Sequence, residues 1–168
     1  MTKWKVRSRS ILIVGEGRDD AAFLKHMKYL ASGRGNSPSY QIRNAKGGSP
    51  IAVLDWAYTQ SQQASYDEVW VLMDRDVIIR QMNSATVEAH AADLSIQLML
   101  SIECLEEMLL RIKGITPLPP AIKSQLKTLL AGSADDPFNY RAAYDKSTLS
   151  AACTTEAAIG QLMQVFLL

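Results

Sequence analysis

No apolar run in this chain approaches the roughly 20 residues needed to span a bilayer; the longest, at residues 11–14 and 69–73, have the length of strands. A membrane-spanning protein is therefore not expected. Cysteine is scarce: Cys104 and Cys153 lack any zinc-ligand spacing and fall in apparent helices, so they read as core residues rather than as a disulfide or a metal site. The basic N-terminus is followed by too short an apolar run for a secretory signal, so no export is expected and the cytoplasm is the expected compartment. An excess of one charge is missing as well. Eighteen Lys and Arg stand against seventeen Asp and Glu, a formal +1, which argues against a protein that coats nucleic acid by bulk electrostatics. Any nucleic-acid contact must be local. There is no phosphate-binding P-loop and no serine–histidine–acid order, which argues against ATP hydrolysis by this chain. His26 and His90 lie on helices without partners at ligand spacing and are expected to be structural.

What the sequence does contain is an ordinary globular composition, 48% hydrophobic and 21% charged over 168 residues, enough for one domain around one core. Residues 11–14 (ILIV) end in Gly15 and suit a strand buried on both faces of a parallel sheet. Asp19 and Asp20 then offer N-cap and first-turn carboxylates to a helix whose Phe23, Met27 and Leu30 share a face, ending near Gly33. A short strand is expected at 40–43. Ser49 and Pro50 form an N-cap and N1 pair for a helix with Val53, Leu54, Ala57 and Tyr58 in one stripe, running to about Gln63. Residues 69–73 make a second strong strand that stops at Asp74-Arg75-Asp76. A helical passage at 84–93, a strand at 96–100 and a helix carrying Leu105, Met108, Leu109 and Ile112 follow, closed by Gly114.

Alternation of this kind predicts an α/β fold: a four-stranded parallel sheet with helices on both faces. Pro117, Pro119 and Pro120 interrupt it, and the remainder reads as a helical C-terminal tail with helices near 121–130 and 155–166, serving as a lid or a second layer. The division expected is residues 1–113 as the sheet domain and 114–168 as an extension packed on it. Lys3, Lys5, Arg7 and Arg9 alternate with Trp4, Val6 and Ser8 ahead of the first strand. That arm reads first as a solvated strand extension guarded against edge pairing, and otherwise as a local nucleic-acid contact.

In an open parallel sheet, ligands bind beyond the carboxyl ends of the strands, and there the acidic residues collect. Glu16 follows the first strand, Asp20 lies four residues on across a turn that Gly17 is expected to permit, Asp74 and Asp76 follow the third strand, and Glu103 and Glu106 follow the fourth. Each element alone is commonly a turn former or a helix cap. Together, converging carboxylates repel one another and call for a cation, and hard oxygen donors select Mg²⁺, Mn²⁺ or Ca²⁺ over zinc, with Mg²⁺ the first choice. Just past a strand, residues i and i+2 point the same way, so Asp74 and Asp76 are expected to share one ion. Lys46-Gly47-Gly48-Ser49, ahead of Pro50, offers either a plain turn or a phosphate cradle at a helix N-terminus. Arg18 and Arg75 are expected to be salt-bridged within the acidic motifs, and Lys146 in the tail is a further candidate for neutralising phosphate.

Residues 11–20 (ILIVGEGRDD) together with 71–76 (VLMDRD) resemble the paired signatures of the Toprim domain, found in topoisomerases, primases and nucleases. The details are most similar to the small RloB-like proteins, and more distantly to the overcoming-lysogenization-defect nucleases, in which the first motif carries a second acidic residue four positions on, matched here by Asp20. In the RloB-like pattern a serine, a cysteine and a glutamate precede an apolar helix; Ser101, Cys104 and Glu106 are similar, although Ile102-Glu103 stands where Asn-Pro is expected and Met108 where tryptophan is usual. Over residues 10–113 this resemblance implies Mg²⁺-dependent cleavage or transfer at a phosphodiester of DNA or RNA in bacterial defence, with a separate ATPase as partner by family habit. It further implies Glu16 as a metal ligand or proton-transfer residue, Asp74 and Asp76 as catalytic metal ligands, and Asp20 with Glu106 as parts of a second metal site. Two other functions remain in view: a catalytically silent module that uses its acidic edge to hold a divalent ion or a basic partner, and nucleotidyl transfer, for which the chain shows no nucleotide pocket.

Overall fold

A computed structural model describes residues 8–32, 37–81 and 83–168. Lys3, Lys5 and Arg7 of the basic arm lie outside the described residues. Arg9 is inside them and is ion-paired to Glu68. The chain runs β1 (Ser10–Gly15), α1 (Arg18–Ala31), β2 (Ser39–Asn44), α2 (Pro50–Ser61), β3 (Glu68–Asp74), α3 (Arg75–Gln81), α4 (Ser84–Asp93), β4 (Gln97–Ser101), α5 (Leu105–Ile112), α6 (Ile122–Leu130), a 3-10 turn (Pro137–Tyr140), α7 (Lys146–Ala152) and α8 (Ala157–Val165). The four strands form one all-parallel sheet in the order β2-β1-β3-β4. No helix of the described residues is long and apolar enough to cross a membrane.

Strand alternation sorts the apolar residues onto two faces. Ile11, Ile13, Leu72 and Met99 join a core with α1, α5, α6, the 3-10 turn, α7 and α8, whereas Leu12, Val14, Val71 and Met73 join one with α2, α3 and α4. The C-terminal tail is thus a layer of the fold: Leu126, Tyr140, Tyr144, Leu162 and Phe166 are fully buried in the first core. Tyr140 Oη donates to the Ala134 carbonyl at 2.7 Å and Tyr144 Oη to that of Leu109 at 2.8 Å, so both buried hydroxyls are satisfied. Arg111 on α5 grips the buried Glu156 at the start of α8 through Nε at 2.9 Å and a second guanidinium nitrogen at 3.2 Å.

Several expectations need adjusting. Tyr58, placed on the buried stripe of α2, is 40% exposed, because Val53, Leu54 and Ala57 already fill the contact with the sheet. Cys104 and Cys153 are half-buried free thiols at the N-cap of α5 and the C-cap of α7 rather than core residues inside helices. His26 is fully buried, its Nε2 2.6 Å from the Tyr144 carbonyl. His90 is 2.7 Å from Asp55, linking α4 to α2.

Candidate functional site at the carboxyl edge

The sheet order reverses direction after β1: the chain first adds β2 on one side, then β3 on the other. The carboxyl ends of β1 and β3 therefore flank the topological switch point, the place where open α/β sheets bind ligands. A cleft of about 340 Å³ opens there, lined by Glu16, Gly17, Arg18, Asp19, Asp20, Gly47, Asp74, Glu106 and Lys123.

Backbone geometry at the end of β1 sets up the cleft. The Glu16 N–H donates to the Leu72 carbonyl of β3 at 3.2 Å, and its own carbonyl accepts from the Gly47 N–H at 2.8 Å. Glu16 is thereby pinned between the neighbouring strand and the β2–α2 loop. The first turn of α1 lies hard against Gly15: a Cβ there would stand 2.7 Å from Asp20 Cβ and 2.8 Å from the Ala21 nitrogen. Gly17, expected to permit the tight path, has an extended backbone (φ −116°) that any residue adopts, and a Cβ there would press only on the Asp20 Oδ2, at 3.1 Å. The close approach thus falls on Gly15.

Asp20 is buried, and its Oδ2 accepts from the Gly17 N–H at 2.7 Å. Burial, then repulsion by Asp74, pushes its pKa up to about 8 against that hydrogen bond, with Glu106 and Glu16 adding to the rise. Asp74 Oδ1 accepts from Ser101 Oγ and from the Leu105 N–H, both at 3.1 Å, tying the end of β3 to β4 and the start of α5. Burial first, then Glu16 and Glu106, raise its pKa to about 6. Glu16 is also raised, by burial, while its Oε2 accepts a long 3.4 Å bond from the Asp74 N–H. Glu106, buried in the first turn of α5, has Lys123 Nζ of α6 at 3.6 Å. Asp19 rises through burial and its neighbour Glu106.

Four of the expected site residues, Glu16, Asp20, Asp74 and Glu106, are thus brought together close enough to perturb one another. Asp76 is placed differently. The ladder ends at the Asp74–Ser101 pair and a helix begins at Arg75, so the two-residue alternation of a strand stops before it can align Asp76 with Asp74. Asp76 instead ion-pairs with Arg80 one turn on, while its buried Oδ1 has no hydrogen-bond partner. Glu103 is exposed and ion-paired to Arg111. Arg18 and Arg75, expected to be bridged within the motifs, make no ion pair among the described residues; Arg18 lines the cleft.

The Lys46–Ser49 loop is half committed internally. The Lys46 N–H goes to Asn44 Oδ1 at 2.7 Å, the Gly47 N–H to the Glu16 carbonyl, and Ser49 Oγ caps α2 by accepting from the Ala52 N–H at 3.3 Å. Gly47 and Gly48 have φ of +80° and +128°, so the loop needs glycine for its path. It borders the cleft through Gly47 and keeps Lys46 exposed. Lys146 is exposed at the start of α7 and takes no part in lining the cleft. Lys123, which lines the cleft beside Arg18, escapes sequence reasoning because only the packing of α6 on α5 carries it there.

All four converging groups are hard oxygen donors of the kind that suits Mg²⁺, Mn²⁺ or Ca²⁺. Among the described residues no three His, Cys, Asp or Glu side chains are gathered closely enough to ligate one ion as they stand. Asp74, Asp20 and Glu106 are at present turned onto Ser101 and Leu105, onto Gly17 and onto Lys123.

Fold and cleft together define an α/β protein with an acidic site at the switch point of a parallel sheet. The chain belongs to the family of RloB-like proteins, whose model matches residues 11–158. That match runs past residue 113 into the first turn of α8, so the C-terminal helices belong to the same family unit as the sheet. No curated protein and no solved structure gives a match.

Proposed function

We propose that this protein is a Toprim-type, divalent-metal-dependent nuclease that hydrolyses phosphodiesters of DNA or RNA, in a bacterial-defence setting that can include a separate ATPase. One observation carries the reading: Glu16, Asp20, Asp74 and Glu106, delivered by three separate strand ends, meet at the switch point, where burial and the neighbouring carboxylates raise the pKa of Asp20 and Asp74. Like charges driven together in a partly buried cleft are costly to the fold, and a site that retains them is built for a cation. Glu16, Asp20, Asp74 and Glu106 would hold Mg²⁺ or Mn²⁺. When bound there, such an ion supplies charge neutralisation at the phosphate and an activated water for in-line displacement.

The chain's own residues do the rest. Arg18 and Lys123, at the rim, pair with substrate phosphate oxygens. Glu16, half-buried and raised in pKa, is suited to take a proton from water, since a base works best when its pKa lies toward the working pH. Asp74, which lines the cleft, holds the end of β3 to the start of α5 through its Oδ1.

The test is an assay of the purified protein on plasmid, single-stranded DNA and tRNA, each with Mg²⁺, Mn²⁺ or chelator. Cleavage should require metal and fall by at least about 100-fold in Asp74→Asn, the upper end of what even supporting residues of metal sites cost. The departure of Asp76 toward Arg80 favours one competitor, the silent module. Metal binding without cleavage of any of the three substrates would establish it instead.

A further inference from the structure

Arg141 lies between two exposed rings. Its guanidinium carbon is 3.8 Å from the centroid of Tyr29 on α1 and 3.7 Å from that of Phe138 in the 3-10 turn. Large aromatic side chains at a surface are usually half covered, yet Phe138 is 63% and Tyr29 49% exposed. The stack is held in place from beneath: Tyr140, next but one to Phe138, packs against Phe23 and His26, and Asp136 accepts from the Phe138 N–H at 2.9 Å to fix the turn. Arg141 makes no ion pair among the described residues, so its charge is free to meet an anion.

We propose that Tyr29, Arg141 and Phe138 form a stacking platform for the bases of a single-stranded nucleic acid whose backbone follows α1 toward the carboxylate cleft. Aromatic faces and guanidinium planes are the groups on which unpaired bases stack, without sequence preference. The helix supplies the track. Arg18, Lys25 and Tyr29, at i, i+7 and i+11, fall within about 40° of one another around a helix and span about 16 Å along it. Lys25 is exposed between the other two, and Arg18 lines the cleft. With a formal charge of only +1, the molecule has no broad basic field to hold a strand, so local stacking must carry the affinity. The direction of the track rests on the nuclease reading; the stack itself does not.

The test measures binding of a fluorescein-labelled oligothymidine to the full chain in chelator, by anisotropy, alongside an abasic oligomer of equal length. Wild type should bind the oligothymidine and discriminate against the abasic strand. Tyr29→Ala and Phe138→Ala should each weaken binding about tenfold, with Tyr29→Phe and Phe138→Trp close to wild type. Both rings are exposed, and thermal melts of each variant check that the fold is intact. Added salt should weaken binding through the few phosphate contacts along α1, while the preference for the oligothymidine over the abasic strand persists. Equal affinity for abasic and ordinary strands, no binding at all, or alanine variants that bind like wild type would overturn the platform; the last is what a protein-docking role for these rings would give. Cleavage by wild type and Asp74→Asn, scored separately, decides the nuclease reading without touching this one.

Discussion

A single methyl group tests how the site is built. Because a Cβ on Gly15 would stand under 3 Å from both Asp20 Cβ and the Ala21 backbone, Gly15→Ala must push the first turn of α1 off the sheet edge. Overpacking of this kind costs about 1–3 kcal/mol, a melting temperature lower by about 2–10 °C for a domain of this size. Gly17→Ala, on extended backbone, should cost less, and differential scanning calorimetry of the pair compares them directly. Asp20 offers a second test through its protons. Its carboxyl titrates at 3.8 in the ordinary state and near 8 when folded, so across that interval the folded form binds more protons than the unfolded one. Linkage then makes metal-free stability fall as pH rises from about 4 to 8, with no contribution below both values. Melts in chelator at about pH 5.5 and pH 8 should differ in that direction, and Asp20→Asn, which keeps an acceptor for the Gly17 N–H, should flatten much of the difference.

At the scale of elements, β1, β3 and β4 and the helices α1, α2 and α5 were legible in the sequence because apolar runs and four-residue stripes leave few alternatives, whereas β2, with only Tyr40 buried, and α4, with only Val87 and Ala91 buried, carry a fainter pattern. Helix α3 was not legible. Its seven residues bury Ile78 while Ile79 is 64% exposed, so no stripe announces it, and reading the segment as strand-like misplaced Asp76. The carboxylates of the cleft could be read because each follows a strong strand. Lys123 and the Tyr29–Arg141–Phe138 stack could not, since they depend on how α6 and the 3-10 turn settle on α5 and α1, which no local pattern encodes. The link from α5 to α8 can be weighed by mutation. Glu156→Gln removes the charge that Arg111 grips bidentately, and with Arg111 30% exposed the loss should be about 1–2 kcal/mol, below the cost of breaking a fully buried pair. Urea unfolding monitored by circular dichroism measures it.

For the molecule as a whole, one core draws on β1 and on α8 alike, so a ligand held at the switch point should stabilise every layer together. With a dissociation constant near 100 μM, Mg²⁺ at 10 mM would add about 2.7 kcal/mol, raising the melting temperature by about 5–10 °C. Matched NaCl should not reproduce this, and Glu16→Gln with Asp74→Asn should abolish it. The raised carboxyls have a further consequence: at neutral pH the cleft already holds a resident cation, the proton on Asp20. A metal ion entering there arrives as a competitor and must evict it. Its uptake should therefore acidify an unbuffered solution, and its apparent affinity should climb between about pH 6 and pH 8, the range spanned by Asp74 and Asp20. Heats of binding in two buffers of unlike ionisation enthalpy would count the protons expelled.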